Sequence, residues 1–155
     1  MKQFHNVEVS MFVRQNEDLS ELMLLFEQVF PFPVKELLKT EKVSGFEQEI
    51  ITVVKVKIMQ HAKILEFLLH LFQGMTEDQF RLIRTQVESR LDDDGYFYIR
   101  ISKNGVKFGK HKLTETGDCI HIKILTAAFP KNRENAMKVI QTYLDSLLEE
   151  TTKQL

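Results

Sequence analysis

Alternation of apolar and polar side chains limits the fold of this chain more than any other feature. Along residues 4–14, apolar residues alternate with polar ones. The apolar members are Val7, Val9, Met11 and Val13. Because successive side chains of a β-strand point to opposite sides of a sheet, this spacing predicts a strand with one buried side and one wet side.

Turn residues divide the other β-rich segments. Ser44-Gly45 separates the second predicted strand from the third, which predicts a hairpin. Asn104-Gly105 separates the fourth from the fifth, and Asn-Gly between alternating segments is the strongest short hairpin signal. The predicted strands after the first are 34–43, 49–59, 96–102, 106–113 and 119–128.

Helical spacing of apolar residues predicts four helices. Asn16 and Asp18 are both candidate N-caps of the first, and Thr76 with Gln79 forms an expected capping box for the third. The predicted helices are 19–30, 62–72, 77–91 and about 133–150. Hairpins in place of regular strand-helix-strand crossovers favour the α+β class, with a mostly antiparallel sheet and helices packed on one face.

Length and composition favour one domain over residues 1–155, with 151–155 as a frayed tail. Cys119 is the only cysteine, so no internal disulfide can form and a reducing cytoplasm is the expected setting. No segment has the length and apolarity of a membrane helix, and the N-terminus lacks the apolar run of a signal peptide. A soluble protein without a membrane partner is therefore expected.

The charges are unevenly distributed, although the net charge is only −1. Residues 1–94 contain 11 basic and 16 acidic side chains, whereas residues 95–155 contain 10 basic and 6 acidic ones. This asymmetry indicates an anionic partner for the later part of the chain.

The strand alternation also groups aromatic and basic residues on the wet side of the sheet. Bases can stack on tyrosine rings, and phosphates can pair with the cations between them. The alternative is the ordinary wet face of an antiparallel sheet, which carries the same residue types. The grouped residues are Tyr96, Tyr98 and Arg100 in one strand, His121 and Lys123 in another, and Lys55 and Lys57 in a third.

The hairpin predicted after residue 96 is strongly basic. It contains five basic residues and no acidic one between Arg100 and Lys112. Phosphate attraction supplies most non-specific affinity for nucleic acids, so this segment is a candidate RNA site. A solvated edge strand protected from aggregation is the alternative. The five residues are Arg100, Lys103, Lys107, Lys110 and Lys112.

The start of the last predicted helix carries Lys131 and Arg133, where the helix dipole already disfavours cations. Free N–H groups and both cations would converge on a bound phosphate there, which favours an anion site. The alternatives are that both side chains extend into water, or that Arg133 pairs with a nearby acid while Glu134 offsets the dipole.

Catalytic groups are poorly represented. Successive acids at Asp92, Asp93 and Asp94 are typical of a solvated turn, although a metal-dependent nuclease would use such residues. The five histidines lack metal-ligand spacing, and there is no phosphate loop or nucleophile elbow. A non-enzymatic protein without metal or cofactor is expected.

Four motifs lie between residues 92 and 136: an acidic turn with glycine, an aromatic strand with arginine, a lysine segment with glycine, and Ala-Ala-Phe-Pro followed by Arg-Glu-Asn-Ala. Together they resemble an archaeal family of predicted RNA-binding proteins described as exosome-subunit-like. Lys131 and Asn132 depart from the family's Pro-Ala-Lys-Arg order. The first hairpin has Ser44-Gly45-Phe46 instead of the family's His-Gly-Asn.

The resemblance implies a fold like that of the ribosomal large-subunit protein that grips the small ribosomal RNA. It also implies RNA binding without known chemistry, as an accessory to RNA processing or degradation. RNA is therefore the expected partner, with exosome or other RNA-processing proteins as further candidates. The alternative is an interaction subunit that docks through the apolar helices 19–30 and 62–72, which predicts a homodimer or a partner-bound state.

Overall fold

Five antiparallel strands form one sheet with the spatial order β2-β3-β1-β5-β4. A computed structural model describes residues 2–153, with side chains through residue 150. The strands are β1 (Phe4–Val13), β2 (Leu38–Ser44), β3 (Ile50–Ile58), β4 (Tyr96–Ile101) and β5 (Ile120–Thr126).

The described residues contain six helices, of which five lie between strands and the last follows β5. Between β2 and β3, Phe46–Gln48 forms a single 3₁₀ turn. The predicted third helix is interrupted at Gln86, so that it forms two helices. The helices are α1 (Leu19–Glu27), α2 (His61–Gln73), α3 (Glu77–Thr85), α4 (Val87–Arg90), α5 (Lys103–Val106) and α6 (Arg133–Lys153).

The expected fraying of 151–155 remains a prediction. Backbone helix continues to Lys153. The side chains of 151–155 and the backbone of residues 154 and 155 lie outside the described residues.

One side of the sheet is buried under the helices, and the other faces solvent. In β1, Val7, Val9, Met11 and Val13 are buried, whereas the residues between them are partly or largely accessible. The buried side chains of the sheet and of α1, α2, α3, α4 and α6 form a single hydrophobic cluster. The predicted α+β class, antiparallel sheet and one-sided helix packing are confirmed.

Burial in this cluster explains the apolar composition of α2. Ile64, Phe67, Leu68 and Leu71 are all buried in the core. Among residues 2–153, no helix combines the length and apolarity needed to cross a membrane.

The prediction of a hairpin over 96–113 is wrong for the residues after Ile101. Lys103–Val106 forms the short helix α5, and only Leu113 returns to β4, through an isolated bridge to Ile101. A two-residue Asn-Gly turn needs positive φ at both positions. Neither Asn104 nor Gly105 has positive φ, and burial of Val106 in the core outweighs the local turn preference.

The capping box at α3 is only half formed. Thr76 Oγ1 accepts from the N–H of Gln79, 3.2 Å away, as predicted. The Gln79 amide oxygen instead accepts from the N–H of Leu113, 2.6 Å away. The Gln79 side chain therefore links α3 to the loop after α5. The capping-box motif does not predict this contact.

A buried histidine makes stability depend on pH. His111 Nδ1 lies 2.7 Å from the Leu71 carbonyl oxygen. Burial lowers the pKa of His111, and the neighbouring His70 lowers it further, although the hydrogen bond with Leu71 opposes both effects. The unfolded chain therefore binds a proton more readily than the folded protein near the ordinary histidine pKa of about 6.5.

We expect the free energy of unfolding to be largest above pH about 6.5 and to decrease as the pH falls below this value. Urea unfolding at pH 7.5 and pH 5.5 measures the difference. A His111→Gln variant should show a smaller difference between the two pH values than the unmodified protein. Equal pH dependence in both proteins would contradict the assignment to His111.

Candidate nucleic-acid interface

β4 and β5 bring predicted aromatic and basic residues together on the side of the sheet away from the helices. In the antiparallel register, Tyr98 lies opposite Lys123, and Arg100 lies opposite His121. Opposite side chains of antiparallel strands have Cβ atoms about 4.5–5.5 Å apart. The alternation alone did not establish that these strands are neighbours.

β1 joins these two strands to the lysines of β3. Glu8 of β1 lies between Lys123 and Lys57, and it forms an ion pair with Lys55, with 3.3 Å between Nζ and Oε1. The wet sides of these four strands therefore form one surface, which we call the open sheet face. It contains Tyr96, Tyr98, Arg100, His121, Lys123, Lys55 and Lys57.

The two tyrosines are held in place by charged neighbours. The Lys123 ammonium lies 4.1 Å from the Tyr96 ring centroid and 5.9 Å from that of Tyr98. Such cation–π contacts contribute about 0.5–1 kcal/mol at exposed sites. The Tyr98 hydroxyl donates to Asp92 Oδ2, 2.9 Å away. Burial and this hydrogen bond raise the pKa of Tyr98 to about 12, so the phenol stays protonated at neutral pH.

The acidic turn before β4 organises the backbone. Asp92 Oδ1 accepts from the N–H groups of Asp94 and Tyr96, at 3.0 and 2.9 Å. Burial alone would raise the pKa of Asp92, but hydrogen bonds from Tyr96, Tyr98 and Asp94 outweigh it and lower the pKa. Gly95 has φ of 89°, which favours glycine at this bend. Residues 2–150 contain no cluster of three or more side chains suited to a metal ion.

The other end of β4 places a cation beside the partly buried His121. Arg100 Nη1 donates to the Glu115 carbonyl oxygen at 3.4 Å. Burial lowers the pKa of His121, and the charges of Arg100 and Lys103 lower it further, against a hydrogen bond involving Gly117. Cys119 Sγ lies 3.6 Å from His121 Nε2, and burial raises the pKa of this thiol.

Lys103, a predicted phosphate ligand, lies inside the protein. Its side chain is buried, and the residue is only 8% exposed. The ammonium donates to the Phe12 carbonyl oxygen at 2.9 Å and to Asp118 Oδ1 at 2.6 Å. The structure therefore gives Lys103 a position that joins β1 to the loop before β5.

The other lysines of the predicted hairpin belong to a loop anchored to the helices. One of them contacts Glu21 of α1, with 3.8 Å between Nζ and Oε1. His111 donates its backbone N–H to the Gly74 carbonyl oxygen, 2.8 Å away, at the end of α2. The structure therefore does not group these lysines with the open sheet face. They are Lys107, which makes the contact with Glu21, and the exposed Lys110 and Lys112.

Arg133 at the start of α6 binds protein groups. Its guanidinium donates to the Glu88 carbonyl oxygen in α4 and lies 3.9 Å from Asp93 Oδ1. The Glu88 carbonyl and the Asp93 carboxylate offset the unfavourable position of this cation at the N-terminus of α6. Asn132 caps α6, because its Oδ1 accepts from the N–H of Asn135 at 2.8 Å. Lys131 is exposed.

Two exposed phenylalanines close to basic residues were not predicted as site residues. Phe129, two residues before Lys131, is 95% exposed, and Phe108, next to Lys107, is 77% exposed. Unpaired bases stack on exposed rings in many RNA-binding proteins. The available sequence signal was an aromatic residue beside a basic one in a turn that contains proline or glycine. That signal does not distinguish an exposed ring from one that folds into the core.

Comparisons with known proteins agree on one family. The model of the RNA-binding family matches residues 6–126. RNA-binding protein PAB1135 from Pyrococcus abyssi is 28% identical over 149 residues, covering 92% of this chain and 95% of that protein.

Two solved structures share the fold over nearly the whole chain. Protein AF2318 from Archaeglobus fulgidus, described as DUF54, has a TM-score of 0.82 at 25% identity and covers 90% of this chain and 98% of that chain. The DUF54 protein Mth689 from Methanothermobacter thermautotrophicus has a TM-score of 0.71 at 25% identity, with coverages of 92% and 98%. These relatives are archaeal, as the sequence motifs indicated.

Proposed function

We propose that this chain, which belongs to the RNA-binding protein family, binds RNA on its open sheet face. The observation that carries the proposal is the register of β4 and β5. It places Tyr98 opposite Lys123 and Arg100 opposite His121 on a surface that the helices leave uncovered. The name of the relative PAB1135 supports RNA as the ligand class.

The arrangement suits a phosphate backbone with unpaired bases beside it. Arg100 and Lys123 provide two cations on adjacent strands, and Lys57 provides a third beyond β1. Cations on such a surface attract phosphates without reading the sequence. A bound phosphate can draw the Lys123 ammonium away from the Tyr96 ring, which then becomes available to a base.

The finer proposal is a non-catalytic role as an accessory to RNA processing or degradation, with the exosome as a candidate assembly. The Asp92 carboxylate already accepts hydrogen bonds from the backbone of Asp94 and Tyr96 and from the Tyr98 hydroxyl. These bonds support the absence of catalysis at this site. The ribosomal-protein-like character of the fold belongs to the same proposal and rests on analogy. Absence of exosome subunits after affinity purification of the protein from its native cells would contradict that assignment.

Fluorescence anisotropy with labelled single-stranded and structured RNA tests the site. We expect saturable binding that weakens steeply between about 50 and 200 mM salt. Arg100→Ala and Lys123→Ala should each weaken binding of all RNAs and reduce the salt slope by about 0.7–0.9. Lys138→Ala is a matched control, because Lys138 is exposed on α6 and pairs with Glu134.

Equal losses in the control and the two site variants would move the RNA site away from the open sheet face. Absence of binding at 50 mM salt would contradict RNA binding itself and favour the interaction-subunit alternative. Circular dichroism spectra of all variants should match that of the unmodified protein.

A further inference from the structure

β2 is an open edge of the sheet. Its residues are exposed except for the partly buried Leu38. The opposite edge, β4, is covered near both ends, by bridges from Leu91 to Phe97 and from Leu113 to Ile101. Along an edge strand, every second residue has backbone N–H and C=O groups without a strand partner. β2 can therefore accept another strand.

Among residues 2–150, the three charged side chains of β2, Lys39, Glu41 and Lys42, form no ion pair. Lys39 lies opposite Lys55 in the β2–β3 register, and Glu41 lies opposite Val53. Lys55 is already paired with Glu8 on its other side. Like charges opposite each other in a sheet are destabilising.

We propose that β2 pairs with β2 of a second copy of this chain, antiparallel, about a two-fold axis at Thr40. This register places Lys39 opposite Glu41 of the second copy, and Glu41 opposite Lys39 of the second copy. Both pairs lie on the open side of the sheet, because Lys39 and Glu41 lie opposite the wet-side residues Lys55 and Val53 of β3. Lys39 and Glu41, which are unpaired in one chain, are therefore paired in the dimer, whereas Lys42 lies opposite Leu38 of the second copy.

The charges select this register over its neighbours. An antiparallel pair of identical strands has its two-fold axis at a residue that faces its own copy. An axis at Lys39 would oppose two lysines, and an axis at Glu41 would oppose two glutamates. Only the axis at Thr40 gives two opposite-charge pairs between Lys39 and Glu41.

Apolar side chains flank the paired charges in the same register. Leu37, the last residue of the turn before β2, comes opposite Val43 of the second copy when this register is extended by one residue, and both residues are 37% exposed in the single chain. Partial burial of two such pairs adds apolar contact at each end of the interface. The dimer has a continuous ten-stranded sheet, and its two open sheet faces lie on the same side.

Sedimentation equilibrium of nuclease-treated, RNA-free protein measures the association. The chain mass is 18.2 kDa, and we expect a concentration-dependent species of twice this mass. Lys39→Glu and Glu41→Lys each convert two attractions into two repulsions and should raise the dimer Kd by about tenfold. The double variant Lys39→Glu with Glu41→Lys restores opposite charges and should restore the dimer.

Lys42→Glu is the matched control, because this substitution makes the same charge change in the same strand. Residue 42 lies opposite Leu38 of the second copy, which carries no charge. The dimer Kd of Lys42→Glu should change less than that of Lys39→Glu. Amide hydrogen exchange should show protection of residues 39–43 that increases with protein concentration. Thermal unfolding by circular dichroism confirms that each variant is folded.

A monomer at all concentrations up to several hundred micromolar would overturn the proposal. A dimer that the single charge reversals leave unchanged, or that the double variant fails to restore, would overturn the β2 interface. Because the protein is free of RNA, these outcomes are independent of the proposed RNA binding.

Discussion

Replacement of Phe67 with alanine is expected to destabilise the protein by about 3–5 kcal/mol. Phe67 of α2 is 0% exposed, and its ring centroid lies 5.3 Å from that of Phe30. Truncation removes the contacts of a whole aromatic ring and leaves a cavity that the packed surroundings fill only partly. The difference in unfolding free energy, from urea titration at neutral pH, measures the effect.

Phe129→Ala is the matched control, because it removes the same side chain from a position that is 95% exposed. Its effect on stability should stay within about 0.5 kcal/mol. Similar losses for the two variants would contradict the division between core and exposed phenylalanines.

Replacement of Lys103 with methionine is expected to destabilise the protein by about 1–3 kcal/mol while leaving RNA affinity unchanged. Methionine keeps an unbranched apolar side chain but cannot donate to the Phe12 carbonyl oxygen or to Asp118. The carbonyl loses a hydrogen bond of 2.9 Å in a partly buried position. Urea unfolding and the anisotropy titration, carried out on the same preparation, measure the two quantities.

Lys110→Met is the control for this change, because Lys110 is exposed in the same loop. It should change stability by less than about 0.5 kcal/mol. A Lys103→Met variant with unchanged stability and weaker RNA binding would return Lys103 to the RNA site and contradict its structural role.

Local patterns predicted the elements whose stabilising interactions come from neighbouring residues. The alternation along 4–14 predicted β1 because side-chain direction in a strand depends only on position parity. Asp18 and Thr76 were predicted as caps because a cap bonds to a backbone N–H three residues away. The same logic predicted the composition of the open sheet face, since parity assigned Tyr98 and Arg100 to the wet side.

Distant contacts decided the elements that sequence reasoning predicted incorrectly. Asn104-Gly105 is a strong local turn signal, but burial of Val106 and the bonds of Lys103 to Phe12 and Asp118 hold a helical turn there. These partners are separated from Lys103 by 91 and 15 residues along the chain. Composition alone cannot distinguish a buried lysine from a solvated one.

The sequence by itself determined the α+β class, the hairpin of β2 and β3, and the side of each strand that faces solvent, because these depend on periodicity and short-range hydrogen bonding. Only the tertiary structure decided which basic residues meet. Strand order places Arg100 and Lys123 on adjacent strands, and helix packing places Arg133 against α4. Strand order and packing depend on long-range burial of the whole core, which no local pattern contains.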